Sequence, residues 1–430
     1  MHRSPVSPRM LQLLTHRHGR SLRHLSCYEM QTCFIPPDSL PTNLETLECR
    51  SVDDGDAIGR LVQASRDSLN TLRLGEERAL VCQYYKLRSG FYEGIPQPLH
   101  AFNSVTNLAD IGGLRRLSLF GLDVGPLVPS EIESALYFTK LKELTMESCK
   151  GSAEFLSALT SMFTFAQSPA APAPQPLPQL EKFLFRHEES NVPLREALVL
   201  FLNSFTGLRT LSLLFENGSM LERLQTLIAN HGPTLEALVL ESRIQPRELL
   251  RLDTSRPFGG GGYSQQMWEE SMSEICRLCP NLVELSAGFP WNDEMVRIRT
   301  SQFHRLTQLR TMHIRNFPES EHLMQMGDYS VKEHASKFIE WTYGSLHVDQ
   351  QPQLESLSIG PGLYETRFKG ANPSRQQPPE FLRTHHFMLD WARTRFGRWS
   401  AMITSVSEKY MEEHRSEKPL GGVFQSVWLK

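Results

Sequence analysis

The chain has 430 residues, of which 40% are hydrophobic and 22% charged, and its formal net charge is −3. That balance is ordinary for a folded protein and leaves no strongly basic field of the kind that gathers phosphates, so the composition does not favour nucleic acid as a ligand. The longest wholly apolar run, Ala197–Leu202, is far short of the ~20 residues that cross a bilayer as a helix; neither a membrane span nor a secretory signal is expected.

From the N-terminus, the first 28 residues hold Arg3, Arg9, Arg17, Arg20 and Arg23 and no acid, a composition shared with mitochondrial presequences. Leu14 to Leu22 nevertheless already stand in a register that recurs later, which argues against a removable leader. Met10–Leu14 reads as the tail of a helix, and a short arm, a partner or an upstream segment is expected to cover that end.

From Ser21 a phrase recurs: a small or polar residue followed by Leu-x-x-Leu-x-Leu. Marked by its first leucine, it falls at Leu22, Leu44, Leu69, Leu114, Leu141, Leu180, Leu208, Leu235, Leu282, Leu309 and Leu354. Five of the ten intervals lie between 25 and 28, and three of 45 to 47 leave room for one repeat with a long loop or for two, giving eleven to fourteen turns. A fixed apolar phase of this length is the mark of a leucine-rich repeat solenoid. The expected architecture is α/β: a horseshoe with a parallel β-sheet on its concave face and helices on its convex face.

The second half of each unit reads as helix, because apolar residues recur at i, i+3 and i+4 in Leu221–Ile228 and through Leu194, Ala197, Leu198, Phe201 and Leu202. The best internal match sets Leu14–Leu22 against Leu227–Leu235, with His18-Gly19 over His231-Gly232. Gly19 and Gly232 are expected to end their helices in a left-handed conformation.

Two inserts interrupt the period, a proline-rich one near residues 166–178 and a tetraglycine one near 254–264; both read as surface loops. The solenoid is expected to span residues 1–362 as one elongated domain. Residues 363–430 form an aromatic-rich C-terminal cap, with a helix expected from Phe381 to Tyr410 that interleaves Arg383, Arg393, Arg395 and Arg398 with Trp391, Phe396 and Trp399. That mixture is also one that stacks on single-stranded nucleic acid, the less favoured reading.

Seven scattered cysteines do not form a disulfide framework, which points to a reducing compartment, cytoplasmic or nuclear. Cys276 and Cys279 have the spacing of a zinc half-site, but no second pair matches it and buried thiols are the better reading. No phosphate-binding loop, His-Glu-x-x-His or nucleophile elbow occurs. The chain is therefore read as a non-enzyme with no cofactor and no metal site.

Alternate strand residues point to opposite faces, so the positions between the leucines line the exposed sheet. The candidate partner-binding residues are Tyr28, Arg50, Arg73, Arg116, Phe120, Glu143, Glu147, Lys182, Arg186, Leu214, Glu241, Glu284, His313 and Arg315. Mixed signs with isolated aromatics suit a protein ligand.

The loose repeat phrase, the His-Gly-x-[Ser/Thr]-Leu-x-x-Leu junctions at His18 and His231, Cys-Pro-Asn-Leu-x-x-Leu from Cys279 to Leu285 and the aromatic C-terminal segment resemble the leucine-rich-repeat portion of fungal F-box-like proteins. The resemblance covers about residues 10 to 360. It implies a substrate-recognition subunit of a cullin-type ubiquitin ligase, in which an N-terminal F-box beginning Leu-Pro-x-Glu recruits the ligase adaptor and the repeats hold the substrate. No F-box is recognisable before Ser21. The leading expectation is thus a module that binds a protein on its sheet face, with the ligase subunit as the alternative.

Overall fold

A computed structural model describes residues 13, 16–29, 40–51, 55–75, 113–125, 136–167, 177–189, 191–217, 223–242, 265–288, 303, 305–315, 328–344, 351–360, 384–407 and 409–410. Both sequence inserts lie almost wholly outside these residues, as does the Met10–Leu14 segment apart from Leu13. The architecture is α/β with mostly parallel strands. The chain divides into two compact units: Met1–His187 with Asn191–Leu208, and Glu188–Ser190 with Arg209–Lys430.

In the first unit the strands are β1 (His24–Glu29), β2 (Thr46–Ser51), β3 (Thr71–Gly75), β4 (Arg116–Phe120), β5 (Glu143–Glu147) and β6 (Lys182–Glu189), each parallel to the next. The helices are α1 (Gly55–Ala64), α2 (Ser152–Ala166) and α3 (Val192–Asn203). Leu72, Leu117, Leu144 and Phe183 share one register row and Leu74, Leu119, Met146 and Phe185 another, all buried. The marker leucines Leu44, Leu69, Leu114, Leu141 and Leu180 are buried beside them. Helix α3 starts where Asn191 Oδ1 accepts the Leu194 amide at 3.0 Å, with Pro193 in the first turn, where its missing N–H costs nothing. Its buried residues are Leu194, Ala197, Leu198, Phe201 and Leu202, the stripe read from the sequence. Phe201 joins helix to sheet and helix to helix, its ring 5.2 Å from Phe183 and 5.7 Å from Phe163.

The second unit contains β7 (Thr210–Asn217), α4 (Leu224–Ile228), β8 (Ala237–Ser242), α5 (Gln265–Leu278), β9 (Glu284–Ala287), β10 (Thr311–Ile314), α6 (Asp328–Ile339), β11 (Ser356–Ile359), β12 (His385–Arg393) and β13 (Trp399–Val406). Strands β7 to β11 are parallel neighbours in chain order, and Leu211, Leu238, Leu285, Met312 and Leu357 form their central buried row.

One backbone device repeats in both units. At nine of the eleven marker leucines the carbonyl of the following residue accepts two amides from the next strand entrance: Arg23 O from Glu45 N at 2.7 Å and Thr46 N at 3.0 Å, and likewise at Glu45, Asn70, Arg115 and Lys142. Arg209, Glu236, Val283 and Arg310 do the same in the second unit. The same slot carries opposite charges on several neighbouring turns: Arg23 with Glu45, Lys142 with Glu181, Arg209 with Glu236, and Arg310 with Glu355. These pairs are half exposed, and each contributes at most about 1 kcal/mol.

Across the 45-to-47-residue intervals β3 pairs directly with β4, β8 with β9 and β10 with β11, so no other strand stands between them in the sheet.

Two expectations are corrected. The segment expected as a helix from Phe381 to Tyr410 contains a β-hairpin: β12 runs antiparallel to β11 and to β13. Phe387, Leu389 and Trp391 alternate at period two, and Gly397, with φ of 75°, closes the turn. Leu389 N donates to Glu355 O at 3.0 Å, and the Trp391 indole N–H donates to Leu354 O at 2.6 Å, so the hairpin satisfies carbonyls at the end of the repeat ladder. Gly19 and Gly232, moreover, do not have positive φ. Gly232 is needed for space: a Cβ there would lie 2.4 Å from the Leu278 carbonyl oxygen at the end of α5. The matched junctions do share a hydrogen-bond pattern. His18 O accepts Ser21 N, Leu22 N and Ser21 Oγ, as His231 O accepts Thr234 N, Leu235 N and Thr234 Oγ1.

Candidate functional site

The leucine rows face the helices, so the intervening strand residues form the opposite face of the sheet. In the first unit the pairing puts these residues in three rows. The first is His24, Thr46, Thr71, Arg116, Glu143 and Lys182; the second is Ser26, Glu48, Arg73, Ser118, Thr145 and Leu184; the third ends in Gly75, Phe120, Glu147 and Arg186. Exposure falls along both directions of this grid. The first row is exposed or half-buried throughout, the second becomes buried at Thr145 and Leu184, and the third is buried from Gly75 to Arg186.

The accessible part is polar and of mixed sign. Arg116 Nε donates to Thr71 Oγ1 at 3.0 Å, and Ser26 Oγ donates to Glu48 Oε2 at 3.1 Å. The Arg73 guanidinium lies over the Phe120 ring at 4.8 Å from its centroid, which fixes a half-buried cation at the border of the open rows. Beyond that border Arg186 Nη1 donates to Glu147 Oε1 at 2.6 Å, the two side chains 1% and 2% exposed.

The same face of the second unit is buried from β9 to β12. Ser286, His313, Ser358 and His386 share one register row, with Glu284, Thr311 and Ser356 in the adjoining one. Ser358 Oγ and His386 Nδ1 are 2.6 Å apart, His313 Nε2 lies 2.8 Å from Gly360 O, and Arg315 Nη1 donates to Ser286 Oγ at 3.2 Å. Burial holds the His386 imidazole neutral down to about 4, with His385 adding to the effect. Burial, and then Arg315, pushes His313 well below its ordinary value. A serine hydroxyl on an imidazole is the beginning of a nucleophile and base. Ser358 is 0% exposed, however, and offers no surface to a substrate.

The fourteen predicted lining residues thus separate. Arg116 is exposed, Arg73, Glu143 and Lys182 are half-buried, and these four come together on β3 to β6. Phe120, Glu147, Arg186, Leu214, Glu284, His313 and Arg315 are buried, which corrects the expectation that the whole lining is open. The side chains of Tyr28, Arg50 and Glu241 lie outside the described residues. Sequence reasoning missed Thr46, Thr71 and Ser118 on the accessible grid; their signal is the small polar residue between successive leucines.

Cys276 and Cys279 are buried, and burial pushes both thiols up to about 12, which disfavours the thiolate that a metal requires. Among the described residues no group of three His, Cys, Asp or Glu side chains is placed to hold a metal ion, and no helix is long and apolar enough to cross a membrane. No family model matches the chain, and no curated protein matches its sequence.

Proposed function

We propose that this chain is a leucine-rich repeat solenoid that binds a protein partner through the sheet face opposite its helices. The contact falls on the open rows of β1 to β6: Thr46, Thr71, Arg116, Glu143 and Lys182 in one, and Glu48, Arg73 and Ser118 in the next. The observation that supports this most is the grid itself. A parallel sheet displays alternating charges and hydroxyls at fixed spacing on rigid strands, while its buried third row keeps the backbone from yielding. Mixed signs match the polar rim of a protein interface better than they match a phosphate chain, which asks for a uniform basic stripe. The five described cysteines are buried free thiols, which fits the reducing cytoplasm or nucleus.

The test is affinity purification of the full-length chain from its native cells, wild type beside Arg116→Glu/Lys182→Glu, with mass spectrometry of what co-purifies. Loss of a reproducible partner from the variant, with its unfolding transition unchanged, supports the reading. Full retention of every partner by a folded variant overturns it. Recovery of a cullin and its adaptor would identify the partner's pathway as ubiquitin ligation, the role that the resemblance to F-box-like proteins implies.

A further inference from the structure

The end of the second unit carries a surface that the sheet-face reading does not use. The β12–β13 hairpin closes through Thr394–Arg398, where Gly397 N donates to Thr394 O at 2.9 Å and Thr394 N to Arg398 O at 2.8 Å. Three arginines, Arg393, Arg395 and Arg398, are exposed there. Two of them are held over rings: the Arg393 guanidinium is 5.1 Å from the Trp399 centroid and that of Arg395 is 4.7 Å from Phe396. Among the described residues, neither Arg395 nor Arg398 has an ion-pair partner.

Beside this tip lies the second observation. β13 is the last strand of its sheet, and among the described residues nothing pairs with its outer edge. Its eight residues, Trp399–Val406, include no charge and no proline, and its register against β12 runs from Trp399 to Val406 without a skipped residue. Lysines, prolines and bulges are the devices by which exposed edges are protected from strand addition, and β13 has none of them. Met402 and Phe396, at 65% and 70% exposed, add apolar surface along strand and tip.

We propose that the outer edge of β13 is a docking site for an extended acidic peptide segment of a partner protein, added as a further strand, with its carboxylates held at the Arg395–Arg398 tip. Main-chain hydrogen bonds to the edge supply the affinity, as in strand-addition complexes. The guanidiniums pair with carboxylates in a forked geometry and set the chemistry that is accepted. The charge of the tip selects an acidic peptide over a second copy of β13, which is uncharged. The edge favours a peptide over a nucleic acid, whose backbone cannot continue a β-ladder.

The full-length chain is titrated with a fluorescent eight-residue peptide of alternating Glu and Val, matched in length to β13. The same peptide N-methylated at alternate residues, the Lys/Val counterpart and an oligothymidylate serve as comparisons. The proposal expects the Glu/Val peptide to bind, and N-methylation or Arg395→Glu/Arg398→Glu to weaken it at least about tenfold, the scale of a lost charge-assisted contact. Neither substitution touches a buried side chain, and N-methylation leaves the protein itself unaltered. Equal binding of the N-methylated or Lys/Val peptide, absence of Glu/Val binding, or preference for the oligothymidylate overturns it. So does a chain whose self-association blocks the peptide.

Discussion

Glu147 and Arg186 stand opposite each other on β5 and β6, 2.6 Å apart, with 2% and 1% of their side chains exposed. On the accessible part of the same face Arg116, Glu143 and Lys182 repeat the alternation of sign in the first row. One pattern therefore yields a buried ion pair at one end of the strands and a polar surface at the other. Burial separates them: a desolvated charge is costly unless paired, whereas a solvated charge remains available to a ligand.

That cost makes the pair asymmetric under mutation. Glu147→Leu takes the carboxylate from a buried guanidinium and is expected to destabilise the first unit by ~3–5 kcal/mol. Glu147→Leu/Arg186→Leu removes both charges and is expected to recover most of that loss, because the neighbours Phe120 and Leu184 are already apolar. Urea unfolding of the two variants checks this, and a double variant no more stable than the single would refute it.

Gly232→Ala tests whether space or dihedral freedom keeps glycine at the helix end. The φ of Gly232 is not positive, so alanine meets no backbone strain there, but its methyl would fall 2.4 Å from Leu278 O. The helix ends of α4 and α5 must then separate, at a cost of ~1–3 kcal/mol typical of overpacking. Thermal unfolding reads it. A variant as stable as wild type would show that the approach of Gly232 to α5 is not required.

Much of the fold was legible because the leucine phrase encodes local and tertiary structure together. All eleven phrases fall on or at the entrance of a strand, β1 to β11, and their three apolar positions are the buried columns, with half-buried Leu22 the exception. The hairpin was not legible as such, since Phe387, Trp391 and Trp399 repeat at multiples of four, as on a helix face, while the deciding signals were Gly397 and the alternation of Phe387, Leu389 and Trp391. The site was half legible. Periodicity shows which residues share the face of Arg116 and Glu147, but whether either meets water depends on what packs over it, which no local pattern contains. The same holds for Ser286, His313, Ser358 and His386, polar residues at lining positions that prove to be interior.

Those interior histidines make stability depend on pH. In the unfolded chain each imidazole titrates near its ordinary value of 6.5, whereas in the folded chain burial keeps His386 neutral down to about 4 and pushes His313 well below its ordinary value. Between those limits the unfolded chain binds more protons, so stability is full above 6.5 and falls as the pH drops toward about 4. His386 alone accounts for about 3 kcal/mol across that window. Unfolding free energies measured in urea from pH 7 to 4.5 should decline accordingly, and His386→Asn, which has nothing to titrate, should flatten the slope by about one proton. The substitution also changes the bond to Ser358, which lowers stability at every pH, so the slope and not the absolute value is diagnostic. An unaltered slope in His386→Asn would mean that the acid sensitivity arises elsewhere, and that the row from Ser286 to His386 admits a charged imidazole without cost.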